Sequence, residues 1–177
     1  VVFVLDKTNP SIANMIRRMI VNYVPTLAIE NIDVKKNSSA LFDEMLALRL
    51  GLIPLITDLK TYKLQRDCKC EGKGCAQCTV TLTLKATGPS TVYASQIESK
   101  DPKVKSAYPD IPIVKLAKDQ DVDLEMTAVL GEGRTHAKFI PGLAYYSGYP
   151  ELKPRNKTAA KAAMDATKKL TEKGDAL

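Results

Sequence analysis

The cysteines are the residues of this chain whose type and spacing most clearly predict chemistry. The chain has 177 residues and four cysteines. All of them lie within Cys68-Lys-Cys70-Glu-Gly-Lys-Gly-Cys75-Ala-Gln-Cys78, as two close pairs separated by a glycine-containing loop. Four thiolates on so short a segment can converge on one ion, and zinc favours this donor set. The sequence therefore predicts a zinc knuckle with Cys68, Cys70, Cys75 and Cys78 as ligands.

Three alternatives use the same cysteines. Two disulfides would be strained at this spacing and are disfavoured in the cytosol. An iron–sulfur cluster also accepts four cysteines, although its usual signatures are spaced differently. A redox-active pair of Cys75 and Cys78 would need a βαβ context that the sequence lacks. We expect one structural zinc ion, with an iron–sulfur cluster as the alternative cofactor, because a closed four-cysteine site leaves no position for a catalytic water.

No other group of residues predicts catalysis. His136 is the only histidine, and its charged, loop-like neighbourhood predicts a solvated or hydrogen-bonded surface side chain. The segment Gly131-Glu-Gly133 is too short for a phosphate-binding loop and predicts a hairpin turn. No Asp-rich cluster of the kind that positions two catalytic metals is present in the sequence.

A helix with an unusually wide apolar surface is predicted from Ser38 to Leu55. Ser38 or Ser39 can cap its start, and Gly51 and Pro54 mark its end. Its apolar residues recur at spacings of three and four and cover more than a single seam, so the helix needs cover on more than one side. These residues are Leu41, Phe42, Met45, Leu46, Leu48, Leu50 and Leu52.

A shorter helix and two strands are predicted before that segment. Val1–Leu5 is a candidate strand, and Thr8 or Asn9 followed by Pro10 predicts a helix start. That helix ends before Pro25. A strand follows over residues 27–34, with a bulge or twist near residues 30 and 31. The predicted buried stripe of the helix is Ile12, Met15, Ile16, Met19, Ile20 and Tyr23.

Beyond Pro54 the pattern changes from helical to alternating, which predicts half-buried strands around residues 80–86 and 122–130. Short strands are expected at residues 92–94 and 113–116, with residues 137–140 closing the region. The fold class is therefore α+β. We divide the chain into residues 1–53, a mostly antiparallel β region over 54–150, and a Lys/Ala-rich helical tail over 151–177 with its helix at 158–170.

Charge and hydropathy exclude a membrane protein. The net charge is +6, but basic and acidic residues are interspersed, which favours a solvated surface over a dedicated nucleic-acid groove. No apolar run approaches the roughly 20 residues that a transmembrane helix needs. No secretory signal is present, so we expect a cytoplasmic protein.

Three stretches carry a more specific pattern. They are Asn14-Met-Ile-Arg-Arg18 with Val24-Pro-Thr26; Ser39-Ala-Leu-Phe-Asp-Glu44 with Arg49-Leu-Gly-Leu-Ile-Pro-Leu55; and Gly88-Pro-Ser-Thr-Val-Tyr-Ala94 with Ile111-Pro-Ile-Val-Lys-Leu116 and His136-Ala-Lys138. Together they resemble the D-subunit family of archaeal DNA-directed RNA polymerase. Its counterparts are the third-largest subunit of eukaryotic RNA polymerase II and the amino-terminal domain of bacterial alpha.

The resemblance implies an architecture and a set of partners. A split dimerisation domain with two packed helices would include residues 1–53, and an inserted β domain over 54–150 would carry the zinc loop 68–78. The family's later strand and C-terminal helix have no match, and no cysteine follows Cys78 to build its ferredoxin-like domain. The chain is therefore expected to be a fragment, or to take its missing half from another chain. The implied partners are the L subunit of RNA polymerase, the second-largest subunit and the small N and P subunits, with DNA reached only through the complex.

The resulting functional prediction is a non-catalytic assembly subunit of DNA-directed RNA polymerase. The alternative from another class is a zinc-knuckle module that binds nucleic acid, and a redox enzyme is a third possibility. The charged residues of the two helices are expected to form salt bridges or to recognise a partner. The predicted partner-binding residues are Ile16, Arg17, Arg18, Ile20, Leu41, Phe42, Met45, Leu48, Arg49 and Leu52.

Overall fold

The fold is α+β, as predicted, and residues 7–145 contain two α-helices and two antiparallel sheets. The computed structural model describes residues 1–70, 73–149, 158, 161, 162, 164 and 165. It separates residues 7–145 from a second unit formed by residues 1–6 and 146–177. The elements are α1 (Pro10–Tyr23), β1 (Thr26–Asn37), α2 (Asp43–Gly51), β2 (Thr79–Thr87), β3 (Ser90–Tyr93), β4 (Glu98–Ser99), β5 (Pro112–Leu116) and β6 (Asp121–Gly131).

A four-stranded sheet in the order β1-β6-β2-β4 organises the larger unit. The predicted alternation is confirmed in β2 and β6, because every second side chain is buried. Leu82, Leu84, Leu124 and Met126 lie at the centre of the core. The second sheet pairs β3 with β5, and both strands contribute to the same core.

Strand β1 is longer than predicted because it pairs with β6 from Thr26 to Asn37. Its register with β6 shifts between Ile29 and Asn31, which confirms the predicted bulge, and shifts again between Val34 and Lys36. A division of the chain at 53/54 would therefore separate two strands of one sheet. That division stays a prediction.

Helix α1 begins as its sequence predicts. Asn9 is the N-cap, its side chain accepts a hydrogen bond from the backbone N–H of Ile12 at 3.1 Å, and Pro10 occupies the first turn. The prediction that its apolar stripe is buried is wrong for the chain by itself: no residue of α1 is buried. The physical reason is that the described residues cover the stripe only in part: Ile16 and Ile20 are half-buried, but the other members of the stripe are exposed.

Helix α2 starts later than predicted, at Asp43, with Phe42 as an N-cap that offers no side-chain hydrogen bond. Ser38 cannot cap it, because its backbone N–H and side chain bond to Asp121 and extend the β1–β6 pairing. Ser39 bonds to the side chain of Asn37 in the turn that follows. The prediction of a serine cap is wrong because Ser38 is bonded to Asp121 and Ser39 to Asn37, so neither serine caps the helix.

Two other predicted elements differ in the structure. Val1–Leu5 is not a strand, since a strand needs a hydrogen-bonded neighbour and no described residue pairs with it. Gly131-Glu-Gly133 is not a hairpin turn: Gly131 ends β6, and the chain continues into the 3₁₀ turn Ala137–Phe139 instead of another strand. A Cβ at Gly131 would lie 2.6 Å from the Phe139 ring, so packing requires the glycine.

The predicted tail helix of residues 158–170, with Gly174 beyond it, lies mostly outside the described residues. The described residues among them are helical and exposed: Thr158, Lys161, Ala162, Met164 and Asp165. Within the described part of the chain, no helix has the length and apolar character needed to cross a bilayer.

Candidate metal centre and apolar helix face

The cysteine loop is held at both ends by backbone hydrogen bonds. A 3₁₀ turn, Gln65–Asp67, leads directly into Cys68, and Cys78 immediately precedes β2. The backbone N–H of Lys63 bonds to the carbonyl of Gln77 at 2.9 Å and closes the loop at its base. These contacts bring the first and last cysteines of the loop to one place.

Two tight turns within the loop bring the thiols close to one another. The backbone N–H groups of Cys78 and Thr79 both donate to the carbonyl of Cys75, each at 2.9 Å, and Lys73 N–H donates to the carbonyl of Cys70 at 3.1 Å. Gly74 lies between the turns with φ of 83°, a conformation that a side chain disfavours. The sequence predicts that Gly72 and Gly74 let the loop fold back without a penalty from a Cβ. The positive φ of Gly74 confirms this for that residue, whereas Gly72 lies outside the described residues.

The four Sγ atoms all lie within 4.8 Å of one another. Cys68 and Cys75 are 3.4 Å apart, Cys70 and Cys78 are 3.5 Å apart, and Cys75 and Cys78 are 3.8 Å apart, measured between Sγ atoms. Sulfurs at about 2.3 Å from a tetrahedral zinc ion are separated by roughly 3.8 Å. The donor set therefore fits a single metal ion.

The same distances weigh against the alternatives. A disulfide joins its sulfurs at about 2.05 Å, and all four cysteines are free thiols here. An iron–sulfur cluster places iron and sulfide atoms between its cysteines, so it needs a wider cavity than one ion does. Cys68 and Cys78 are buried and the other two are partly exposed, which leaves a route by which an ion can enter.

Protonation of the thiols also differs across the cluster. Hydrogen bonds from Cys78 and Cys68 lower the pKa of Cys70 to about 6. Burial raises the pKa of Cys78 to about 12. One thiolate therefore forms readily, but four adjacent thiolates require a cation to hold them, which is what a metal ion supplies.

Helix α2 presents two different apolar faces. Its core face is shielded by the sheet: Leu46 is 1% exposed, Leu50 0% and Ile53 2%. The opposite face, which we call the outer face, is formed by Phe42, Met45, Leu48 and Leu52, with exposed fractions of 76%, 54%, 63% and 55%. Leu41, predicted as a partner-binding residue, is half-buried against the core.

The charged and branched residues predicted for partner binding have diverse surroundings. Arg49 is engaged within the chain, since Nε donates to the carbonyl of Ile113 at 2.8 Å and Nη2 to that of Pro112 at 2.7 Å. These bonds attach α2 to β5. On α1, Arg17 Nε bonds to Asn14 Oδ1 at 3.0 Å. Arg18 is exposed, and Ile16 and Ile20 are half-exposed.

His136 lies outside any catalytic arrangement of the described residues. It is the N-cap of the turn Ala137–Phe139, and its Nδ1 accepts a hydrogen bond from the backbone N–H of Lys138 at 3.1 Å. This confirms the predicted surface role. Lys138 reaches back to the β1 bulge, where Nζ bonds to the Ile29 carbonyl and pairs with Glu30.

Sequence reasoning missed an ion-pair cluster between the cysteine loop and α1. Glu132, 8% exposed at its side chain, pairs with Arg66 and with Arg134, and the Arg134 guanidinium lies 5.5 Å above the Tyr23 ring. Hydrogen bonding to Arg66 lowers the pKa of Glu132. The only sequence signal was a glutamate between two glycines at the end of an alternating strand.

Comparison with known proteins adds a family match. The family model described as the RNA polymerase Rpb3/RpoA insert domain matches residues 29–144. The match begins inside β1, so it includes the β1–β6 pairing and extends past the cysteine loop.

Curated archaeal proteins match over most of the chain. The DNA-directed RNA polymerase subunit Rpo3 of Methanosarcina mazei is 47% identical over 156 residues, covering 87% of this chain and 59% of the relative. The subunit Rpo3 of Methanothermobacter thermautotrophicus is 44% identical, covering 85% and 58%, and that of Pyrococcus furiosus is 41% identical, covering 92% and 63%. The chain thus spans about three-fifths of the length of these relatives.

Proposed function

The chain belongs to the archaeal Rpo3 family of RNA polymerase subunits, the D-subunit family, and from this premise we propose that it is a non-catalytic assembly subunit of DNA-directed RNA polymerase. It pairs with the L subunit and then docks the second-largest subunit and the small N and P subunits. Polymerisation belongs to the complex, a nucleotidyltransferase, and DNA is reached only through it.

The observation that carries this proposal is the outer face of α2. A helix of nine residues buries one apolar face in its own core and leaves a second one in water, which is unfavourable by roughly 25 cal/mol for every Å² of apolar surface. An obligate partner removes that cost. The exposed side chains Ile12, Met15 and Met19 on α1 add a second uncovered stripe.

The predicted partner-binding residues are assigned to these two helices, with Arg49 also fixing α2 on β5. The domain division stays part of the proposal: residues 1–53 belong to the dimerisation domain and residues 54–150 to an insert. The insert is the part that holds the metal loop. The tail of residues 151–177 is assigned no partner.

The metal loop is proposed to bind one structural zinc ion through Cys68, Cys70, Cys75 and Cys78. The ion supplies the positive charge that keeps four thiolates together and folds the loop. Lys69 and Lys73, both exposed beside the cluster, offset part of its negative charge. No catalytic role is assigned to the ion.

Co-expression with the L subunit tests the proposal. We expect the full-length chain to be oligomeric or insoluble alone and to elute with the L subunit as a one-to-one heterodimer, measured by size-exclusion chromatography with light scattering. A stable monomer that does not bind the L subunit would contradict it. Tight binding of the monomer to duplex DNA in the same assay would instead favour the nucleic-acid-binding alternative.

A further inference from the structure

The ion-pair cluster at Glu132 connects two parts of the molecule that the proposed function keeps separate. On one side is the metal loop, and on the other is the carboxyl-terminal end of α1. Arg66 comes from the first part, and Arg134 lies against the second. Glu132 bonds to both arginines and thereby joins the two parts.

Arg66 is attached closely to the metal loop. It lies in the 3₁₀ turn Gln65–Asp67, and the backbone N–H of Cys68 bonds to the carbonyl of Gln65 at 3.3 Å. Its Nη2 lies 2.5 Å from Glu132 Oε1. Because metal binding folds a loop of this kind, the position of Arg66 depends on the ion.

Contacts on the other side reach α1. Arg134 Nε lies 2.9 Å from Glu132 Oε2, its guanidinium covers the Tyr23 ring, and its backbone N–H donates to the carbonyl of Asn22 at 3.2 Å. Gly133 lies so close to α1 that a Cβ there would be 2.0 Å from the Val21 carbonyl oxygen. The end of α1 therefore follows the position of residues 132–134.

We propose that Glu132 is a positioning residue that couples metal binding in the cysteine loop to the placement of α1, the helix with the uncovered apolar stripe. With the ion bound, Arg66 and Arg134 share the buried carboxylate and Arg134 stays over Tyr23. Without the ion, Arg66 separates from Glu132, and Arg134 alone pairs with the Glu132 carboxylate. The last turn of α1 then becomes less well held. This inference rests on the proposed metal site but not on the identity of the partner.

Amide hydrogen exchange of the full-length chain tests the coupling directly. Removal of zinc by a chelator is expected to speed exchange in the last turn of α1 about five- to tenfold, within the usual range of coupling between sites. In Glu132→Gln, exchange there should already be fast and should no longer respond to zinc. A purely structural role of Glu132 would speed exchange by the same factor with and without zinc, so the difference that zinc makes would remain.

Matched variants keep the test decisive. Asp123→Asn removes the Lys85–Asp123 ion pair of 3.0 Å on the same strand that leads to Glu132 and should keep the full zinc response. Arg66→Met should abolish the effect of zinc on α1 exchange, and Arg66→Lys should partly restore it. These two variants test the coupling even when Glu132→Gln does not fold.

Two results would overturn the coupling: an unchanged zinc response in Glu132→Gln or Arg66→Met, or no zinc response in the wild-type chain. Zinc content and binding of the L subunit, measured on the same samples, identify a failure of the proposed function separately. A chain that binds zinc and the L subunit but shows equal α1 exchange with and without zinc disproves the coupling alone.

Discussion

The cysteine loop illustrates what single residues determine in this protein. Its four cysteines lie within one short segment, so their convergence is predictable from their spacing and from the glycine between the pairs. The contacts of Glu132 were not, because its partner Arg66 lies 66 positions away. No local pattern predicts which arginine meets a buried carboxylate, since that depends on how the loop packs against the end of β6.

Replacing one cysteine should abolish metal binding. Cys75→Ser substitutes a weak oxygen donor for a thiolate and leaves three ligands. We expect elemental analysis to find one zinc per wild-type chain and less than about a tenth of that in the variant. His136→Ala, which removes the only imidazole of the chain, should retain the ion; iron in place of zinc would count against the assignment.

Ionisation of Tyr62 should lower the free energy of unfolding at alkaline pH. Burial and a hydrogen bond to Asp101 raise the pKa of Tyr62 to about 12. Because the folded-state pKa exceeds the unfolded value near 10, the contribution, on the order of 2 kcal/mol, is complete below pH 10 and is lost between pH 10 and 12. Urea titrations should show a flatter decline in this range for Tyr62→Phe.

The control for that titration is Tyr108→Phe, which alters an exposed ring and should decline like the wild-type chain. Equal slopes for all three proteins would mean that Tyr62 ionises in the folded state as easily as in the unfolded state.

At the scale of elements, α2 shows how one periodic pattern can contain a buried and an exposed apolar face. The sequence predicted an over-wide apolar surface, and this is correct. Which residues faced the core could not be predicted, since Leu48 and Leu50 are equally apolar. The β sheet determines which α2 residues face the core, because the sheet packs against Leu46 and Leu50. The predicted helix start at Ser38 or Ser39 is wrong for a similar reason, since strand pairing with β6 competes with capping.

The two faces of α2 should respond differently to substitution. Leu48→Glu changes an exposed residue and should leave the unfolding free energy nearly unchanged while abolishing binding of the L subunit, measured by isothermal titration calorimetry. Leu50→Ala should cost about 2–5 kcal/mol in unfolding free energy, because it creates a cavity. Retained binding of the L subunit by Leu48→Glu would remove the outer face from the interface.

The junction of β6 with α1 should be intolerant of one methyl group. In Gly133→Ala the new Cβ would meet the Val21 carbonyl, and the backbone must move, at a cost of about 1–3 kcal/mol. Gly142→Ala is the matched control, since nothing lies within 4 Å of its Cβ position. Chemical denaturation of both variants checks this. Equal denaturation midpoints for the two variants would show that the backbone at the junction accommodates the methyl group without loss of stability.

For the whole molecule, fold class and family followed from the sequence, but the way the parts join did not. The predicted boundary at 53/54 follows a change of periodicity, whereas hydrogen bonding joins β1 to β6 across it. Local periodicity shows where a helical pattern ends. It says nothing about which distant strand completes a sheet, because that pairing is set by the core as a whole.

Truncation at the predicted boundary tests that pairing. A chain of residues 54–150 lacks β1 and exposes the unpaired edge of β6, so we expect it to aggregate or melt without cooperativity. Residues 7–145 retain both strands and, bound to the L subunit, should melt cooperatively, followed by circular dichroism. Cooperative melting of the shorter chain would establish the insert as an independent domain.

Because Thr26 in β1 pairs with Gly131 in β6, β1 has no partner strand until β6 has been synthesised. During translation β6 is made about a hundred residues after β1, several seconds later at cellular elongation rates. Until then the nascent polypeptide exposes an unpaired strand and the uncovered apolar faces of two helices. A chaperone that shields residues 10–51, or binding of the proposed partner subunit beside the ribosome, would decide how much of the product escapes aggregation.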